Sequence, residues 1–445
     1  MFPGQYGAAV ASDPVTTWTN FAGDQACRPA VFERPTTTAE VTSAIERATD
    51  AGRTVRVAGG GHSFTDAVLT DGTLLSLDRM DQVLDIDRAT GLVRCQAGIT
   101  LGALSAAMWT HGLAFPNLGD IDVQSIAGAT ATGTHGTGHA LPNLSAGLRS
   151  MTLALGDGTT TEVHAHGDPD TWRAARVALG ALGVVTEVTL QAVPAFTLDG
   201  VDTTASLDQV LDELDDLVDN NDHFGFFTFP HSPLAMTKTW NRTDAPPRPP
   251  SRASYWFHDL VLTNYAYWGV CRLARARPRW IPALNRTASR LSGSTHRVDR
   301  SYRVFATPRR VPITEMEYAI PREHAAEAVR RVRALAEDPR FAVPVPLEVR
   351  FVAPDDAFLS PAAGRATCYI AVHQFAGLAW AGYFHEVEQI MIGYGGRPHW
   401  GKRHFRVAED LRPAYPDWDR FAAVRDRLDP RRRFTNHHVA QVLGA

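Results

Sequence analysis

What this chain has little of narrows it first. Only four cysteines occur, Cys27, Cys95, Cys271 and Cys368, far apart and without C-x-x-C spacing. That excludes a zinc knuckle or a dithiol redox pair and leaves reduced, partly buried thiols. No run of about 18 apolar residues occurs, so no membrane-spanning helix is expected. No apolar stretch precedes the first positive charge, Arg28, so no secretory signal is expected and a cytoplasmic location is the default. Neither sign of charge dominates: 44 basic against 48 acidic residues leave a net charge of −4, which offers nucleic acid no broad attraction. The 445 residues leave room for two or three domains, and 44% hydrophobic with 21% charged residues is ordinary globular composition.

What is present is glycine in two concentrated places. Gly59-Gly60-Gly61-His62-Ser63 follows a β-branched stretch at 54–58, which itself follows a helix ending at Gly52. Backbone without side chains lets N–H groups converge on an anion such as a diphosphate. A dinucleotide fingerprint fails, because Phe64 stands where the third glycine should be and no acidic residue closes a βαβ unit about 20 residues on. The second segment runs from Gly119 through Ser125, Gly128, Thr132, Gly133, Thr134 and His135 to Gly138. Two such loops suit one long diphosphate cofactor, with Gly59 to Ser63 offering N–H groups and Ser125, Thr132 and Thr134 offering hydroxyls.

The organisation reads as α+β. Residues 1–195 alternate strands and helices: Thr37-x-x-Glu40 forms a capping box, and Val41, Ala44, Ile45 and Ala48 share one helical face. Strands are expected at 73–77, 92–97, 151–155 and 184–193. A second domain over 196–405 holds an acidic helix near 207–219, an aromatic strand at 224–229, a proline-rich loop at 244–250, and a mixed sheet with helices on one face. Its strands lie at 316–320, 347–353 and 366–375, its helices at 322–337 and 380–392. The stretch 255–280, aromatic and arginine-rich, reads either as a helix of this domain or as an amphipathic surface for a membrane or partner, the helix being preferred.

Four polar sets invite chemistry. Glu348 and Arg350, i and i+2 on a strand, share a face, as a salt bridge or as a paired site. Gly396-x-x-x-x-Gly401-Lys402 has the outline of a phosphate loop, but Arg403 replaces the Ser or Thr that would hold magnesium. His373 faces inward by alternation, as a second base or a core histidine. His135 and His139 have the i, i+4 spacing of a metal pair, but Gly136 and Gly138 argue against a helix there, and no metal is expected.

Taken together, these motifs resemble the FAD-dependent oxidoreductases of the vanillyl-alcohol oxidase (PCMH-type) fold, and within them the aldonolactone oxidases and dehydrogenases. The resemblance spans nearly the whole chain and rests on the two glycine segments, Leu182–Val188, Glu315-Met316-Glu317-Tyr318, Glu348-Val349-Arg350 and His399-Trp400-Gly401-Lys402. It implies a two-domain fold with a substrate (cap) domain and a tail over 406–445 returning to the FAD domain. It implies FAD, joined covalently to His62, with Val185 on a strand against the flavin. It also implies that Glu348, Arg350 and Lys402 line the substrate site, the lysine approaching the reacting hydroxyl. The implied reaction oxidises C2 of L-gulono-, L-galactono- or D-arabinono-1,4-lactone, with O2 or a cytochrome- or quinone-like acceptor. An alditol oxidase acting on xylitol or sorbitol is the enzyme alternative, and a catalytically silent flavin- or sugar-binding protein the other.

Overall fold

The computed structural model describes residues 17–445 and, at 252, 255 and 258–260, the backbone alone. Residues 1–16, the opening of the expected first domain, lie outside the described residues. Helix Thr38–Asp50 starts at Thr37, whose side chain accepts from the Glu40 amide at 3.2 Å. The box closes one residue early, because Glu40 accepts from the Thr36 amide at 2.7 Å rather than from Thr37. Val41, Ala44, Ile45 and Ala48 are fully buried, and Gly52, at φ +67°, turns the chain into strand Val55–Ala58. That strand lies parallel to Thr73–Ser76, which also pairs in parallel with Val31–Glu33.

A second, antiparallel sheet runs in the order Thr160–His164, Leu148–Ala154, Val184–Gln191, Leu92–Gln96, Val83–Asp87. Its core contains Leu153, Val188 and Trp172 together with Trp418, Phe421 and Val442 from the end of the chain. The tail is also held by polar contacts: the Val55 amide donates to the Arg433 carbonyl at 2.8 Å. The buried Arg56 guanidinium donates to the carbonyls of Ala67, Leu179 and Phe434.

The large sheet has eight strands, ordered Thr295–Arg300, Thr197–Ser206, Leu234–Thr243, His223–Thr228, Leu347–Val352, Thr367–Phe375, Ile313–Pro321, Arg397–Pro398. The sequence leads to a mixed sheet, whereas every pairing observed here is antiparallel. The reason is topological. Helices Leu207–Asp212 and Leu214–Asp219 join two strands of equal direction, but Leu234–Thr243 pairs between them. Helix Ala325–Ala336 does the same for Ile313–Pro321 and Leu347–Val352, with Thr367–Phe375 inserted. Each unit is a split βαβ. The acidic helix expected over 207–219 is in fact two, kinked at Glu213 (φ −98°, ψ 14°), and both bury their leucines against the sheet.

Alternation then decides what each face carries. Met316, Tyr318, Val349, Phe351, Ile370 and Val372 pack under the helices. Their neighbours Glu315, Glu317, Glu348, Arg350 and His373 point the other way, toward the glycine loops, and line a cavity.

Candidate functional site

Two cavities meet between the sheets. The first, about 1170 Å³, is lined by Gly59–Ser63, by Ser125, Gly128 and Thr132, and by Gly183–Val185. The second, about 1350 Å³, lies under the open face of the eight-stranded sheet. They share His62, Ser63, Gln124 and Thr132.

The first cavity is walled by main chain, small side chains and apolar ones such as Trp18, Leu77, Leu153 and Leu182. A Cβ on Gly59 would lie 2.3 Å from Ser125 Oγ, and one on Gly60 2.5 Å from the Val123 carbonyl oxygen. The loop therefore rests on 123–128 with no room for a side chain, which leaves its backbone to meet a ligand. Gly61 has φ +65°, and its carbonyl accepts from the Phe21 amide at 3.0 Å. The His62 ring stacks on Phe21 at 4.2 Å. Burial, and then the nearby Lys402 ammonium, pull its pKa down to about 4, so a neutral imidazole stands where the cavities join. Neutral nitrogen beside main-chain amides suits a dinucleotide with an anionic middle and a reactive ring.

The second cavity is built from paired charges. Glu348 Oε1 accepts from Arg350 Nε at 2.9 Å and Nη2 at 2.6 Å. Arg350 Nη2 also lies 3.1 Å from Asp120 Oδ1. Asp120 takes Lys238 at 3.1 Å and Arg309 at 2.5 Å on its other oxygen. Burial alone would raise the Asp120 carboxyl, but Arg350, Lys238 and Arg309 hold it well below the usual range. Lys402 Nζ sits 2.5 Å from Glu315 Oε2 and over the Phe64 ring at 5.3 Å. Its turn is pinned to strand Ile313–Pro321, since the amides of His399 and Arg403 donate to the carbonyls of Glu317 and Glu315, each at 2.9 Å. Trp400, buried, donates its indole N–H to Leu359 at 2.6 Å. Burial opposes ionisation of Glu315, but Lys402 and then His373 bring its pKa down to about 2, so it stays a carboxylate.

His373 faces the cavity as alternation implies. Its Nδ1 lies 2.9 Å from the Pro346 carbonyl and its Nε2 3.6 Å from Glu315. Burial lowers its pKa, but the Glu315 carboxylate outweighs that and raises it. Of the expected cofactor contacts, Gly119, Thr134 and His135 line the second cavity, while Gly133 and Gly138 line neither. Gly133, at φ +73°, packs against Pro361, and the Gly138 amide donates to the Phe351 carbonyl at 2.7 Å, joining the second glycine segment to the sheet. Part of each expected hydroxyl is used locally: Ser125 caps helix Ile126–Ala131, and Thr132 donates to Gly128 at 3.2 Å.

Sequence reasoning missed Asp120, Glu315, Lys238 and Arg309 as site residues, and missed a buried cluster of His135, Glu317 and His399. The ligand atoms of that cluster lie within 4.8 Å of one another. His135 stacks on Tyr369 at 3.6 Å, and both its ring nitrogens face oxygens, Gly136 at 2.9 Å and Glu317 at 3.3 Å. Two oxygen acceptors suit hydrogen bonding from an imidazole more than metal ligation. The i, i+2 spacing of Glu315 and Glu317 on a strand was the available signal.

Known proteins resemble this chain along nearly its whole length. Residues 188–442 match the D-arabinono-1,4-lactone oxidase family, and residues 29–164 match an FAD-binding domain. An L-gulono-1,4-lactone dehydrogenase of Mycobacterium tuberculosis is 49% identical over 430 residues, 96% of this chain and 99% of that protein. The L-gulonolactone oxidase of Mus musculus is 33% identical, over 95% of this chain and 97% of that one. The crystal structure of a cholesterol oxidase from B. sterolicum superposes with a TM-score of 0.80 at 17% identity, covering 96% of both chains, and so shares the fold. FAD is the cofactor that the first cavity fits, and the chain belongs to the D-arabinono-1,4-lactone oxidase family of FAD-binding oxidoreductases.

Proposed function

We propose that this enzyme oxidises the C2 hydroxyl of a sugar 1,4-lactone, L-gulono-, L-galactono- or D-arabinono-1,4-lactone, to a keto product that enolises to ascorbate or its analogue. The observation that carries the reading is the convergence of Lys402 with Glu348 and Arg350, which share strand Leu347–Val352, on a cavity that opens onto His62. The names of the relatives support the substrate class. When bound, FAD supplies the two-electron acceptor for the hydride that leaves C2. Gly59–Ser63 would hold its diphosphate, Ser125, Thr132 and Val185 would flank it, and the neutral His62 would form a covalent link to it.

Lys402 and Arg350 are the cations that would meet the lactone. Glu315 fixes the ammonium of Lys402, and Glu348 with Asp120 fixes the guanidinium of Arg350, so each cation is oriented before substrate arrives. An alkoxide developing at C2 is then stabilised by donors that need no rearrangement. Around the cavity Asp120, Glu315, Glu317 and Glu348 offset Arg309, Arg310, Arg350 and Lys402, and that balance suits a neutral polyol ring rather than an open-chain acid anion. His373, held between Pro346 and Glu315, positions Glu315 rather than acting as the base. The electron acceptor is O2 or a cytochrome- or quinone-like species, and the enzyme works in the cytoplasm.

The test is the visible spectrum of the holoenzyme under nitrogen with L-gulono-1,4-lactone, D-arabinono-1,4-lactone and xylitol in turn, followed by air. Bleaching by a lactone in preference to xylitol is expected. Recovery in air marks an oxidase, and persistence of the bleached form marks a dehydrogenase. Bleaching by xylitol alone would assign an alditol oxidase, and no bleaching by any of the three would overturn the reading.

A further inference from the structure

His62 differs from the other histidines of the second cavity in how it is held. His135, His373 and His399 each have Nδ1 in a hydrogen bond, with the Gly136 carbonyl, the Pro346 carbonyl and the Gly401 amide, at 2.9–3.0 Å. Such a bond fixes a tautomer and a ring orientation, and it occupies a nitrogen. Among the described residues, His62 makes no such bond, and its ring is held by a face. The Phe21 ring stacks on it at 4.2 Å with 17° between the planes, and Phe64 meets Phe21 edge-on at 5.4 Å.

Phe21 belongs to a hairpin built around the His62 loop. Trp18–Thr19 pairs antiparallel with Ala26–Cys27, and the buried Asn20 closes the turn by accepting from the amides of Asp24 and Gln25. Donors of the hairpin then reach carbonyls of the loop: the Phe21 amide reaches Gly61 at 3.0 Å, Asn20 Nδ2 reaches Ser63 at 3.1 Å and Gln25 Nε2 reaches Phe64 at 3.3 Å. The backbone is thus fixed on both sides of His62 without use of its ring nitrogens. The hairpin is also tied to the Lys402 turn, through Asp24 and Arg403. Phe21 itself is 41% exposed, so its ring is placed at the site rather than in a core.

Building on the reading that His62 is joined to FAD, we propose that Phe21 is a positioning residue for that attachment: its stacked ring fixes the plane of the imidazole and leaves a nitrogen free to bond carbon. In the attachment, one C–H bond of a methyl group on the flavin ring and the imidazole N–H break, and a C–N bond forms. Both protons and the two electrons pass to the flavin, which is left reduced. The enzyme's electron acceptor, O2 or a cytochrome- or quinone-like species, then reoxidises it. The flavin is the electron sink, so the protein's share is orientation. A nitrogen lone pair lies in the plane of the imidazole, and a ring free to turn about Cβ–Cγ would spread it over many directions. A hydrogen-bonding partner would compete for the nitrogen that must react, whereas a stacked ring sets the plane and takes neither nitrogen. An aliphatic chain would fill the same space but has no flat face.

The experiment uses the full-length chain made in riboflavin-starved cells and then given FAD in air, with total bound flavin and its acid-precipitable share followed in time. Phe21→Leu, which keeps apolar bulk, should bind as much flavin but pass it to the acid-precipitable pool about threefold to tenfold more slowly, the range an aromatic stack contributes. Phe21→Tyr, which keeps the flat face, should restore the unaltered rate. Attachment in Phe21→Leu at the unaltered rate would overturn the proposal and leave the link standing. Slow attachment in both variants together with loss of bound flavin would also overturn it, because the hairpin would then act on binding alone. Flavin that stays acid-soluble in the unaltered chain would remove the link itself, and the role of Phe21 with it.

Discussion

The two cavities that meet at His62 do opposite things with their walls. The first is main chain, small side chains and apolar ones such as Trp18, Leu77, Leu153 and Leu182, and its one arginine, Arg56, spends its guanidinium on three carbonyls. The second is lined by acidic and basic side chains locked in pairs. The difference follows from the ligand each must hold. A diphosphate is bound by amides that converge where side chains are missing, with no counter-charge to neutralise. A neutral sugar ring must be oriented by directional donors, and buried charges are tolerable there only if each has its partner.

Breaking the comparison from the first cavity should cost flavin and turnover together. Gly60→Val would place a Cβ 2.5 Å from the Val123 carbonyl and 3.2 Å from Gln124 Cα, both main chain, so the two loops must part. Overpacking of about 1–3 kcal/mol should fall on the bound state and lower flavin affinity about tenfold to a hundredfold, with lactone oxidation lost in step. Flavin content and turnover per flavin, measured together, check this: turnover per remaining flavin should hold.

The second cavity breaks differently. Glu315→Gln removes a buried partner from Lys402 and His373, and should cost about 3 kcal/mol of stability at neutral pH. The sign with pH is defined. The folded Glu315 pKa of about 2 lies below the ordinary value of 4.5, so its stabilisation is complete above the unfolded value and is lost as pH falls from about 4.5 toward 2. Urea unfolding of both proteins across that range should show the gap between them closing, while a gap constant in pH would contradict the ion pair.

The smallest effect belongs to the junction. His62→Ala should leave FAD bound by the loops but free it on acid precipitation, where the unaltered enzyme keeps its colour in the pellet. Turnover should fall by about tenfold, roughly 1.4 kcal/mol on the barrier. Flavin in the acid supernatant of the unaltered enzyme would remove the covalent link and leave the rest of the comparison standing.

The same contrast explains what could be read in advance. The first cavity is written locally: Gly59 to Ser63 sit next to one another, and a run of glycines behind a strand can be interpreted without knowing the fold. Glu348 and Arg350 were legible because i and i+2 share a strand face. Lys402 was legible through the family motif His399-Trp400-Gly401-Lys402, whereas Asp120, Lys238 and Arg309 come from three separate stretches that only the tertiary fold brings to Arg350. The strand order of the large sheet could not be read, since two split βαβ units and a mixed sheet show the same alternation of helix and strand. His373 was placed correctly by alternation, but its partner Glu315 comes from a neighbouring strand whose pairing the sequence did not reveal. The breaks at Glu213 and in the π-helical Trp256–Ala266 depend on what the helices pack against.

The central claim is that binding the flavin and oxidising the lactone belong to separate walls. The most direct measurement is anaerobic stopped-flow bleaching of Lys402→Met holoenzyme by L-gulono-1,4-lactone, with flavin content determined on the same sample. The account predicts full flavin content and bleaching slowed by about a hundredfold or more, because a preorganised cation at the alkoxide is gone. Bleaching at the unaltered rate, or a protein that has lost its flavin, would contradict it.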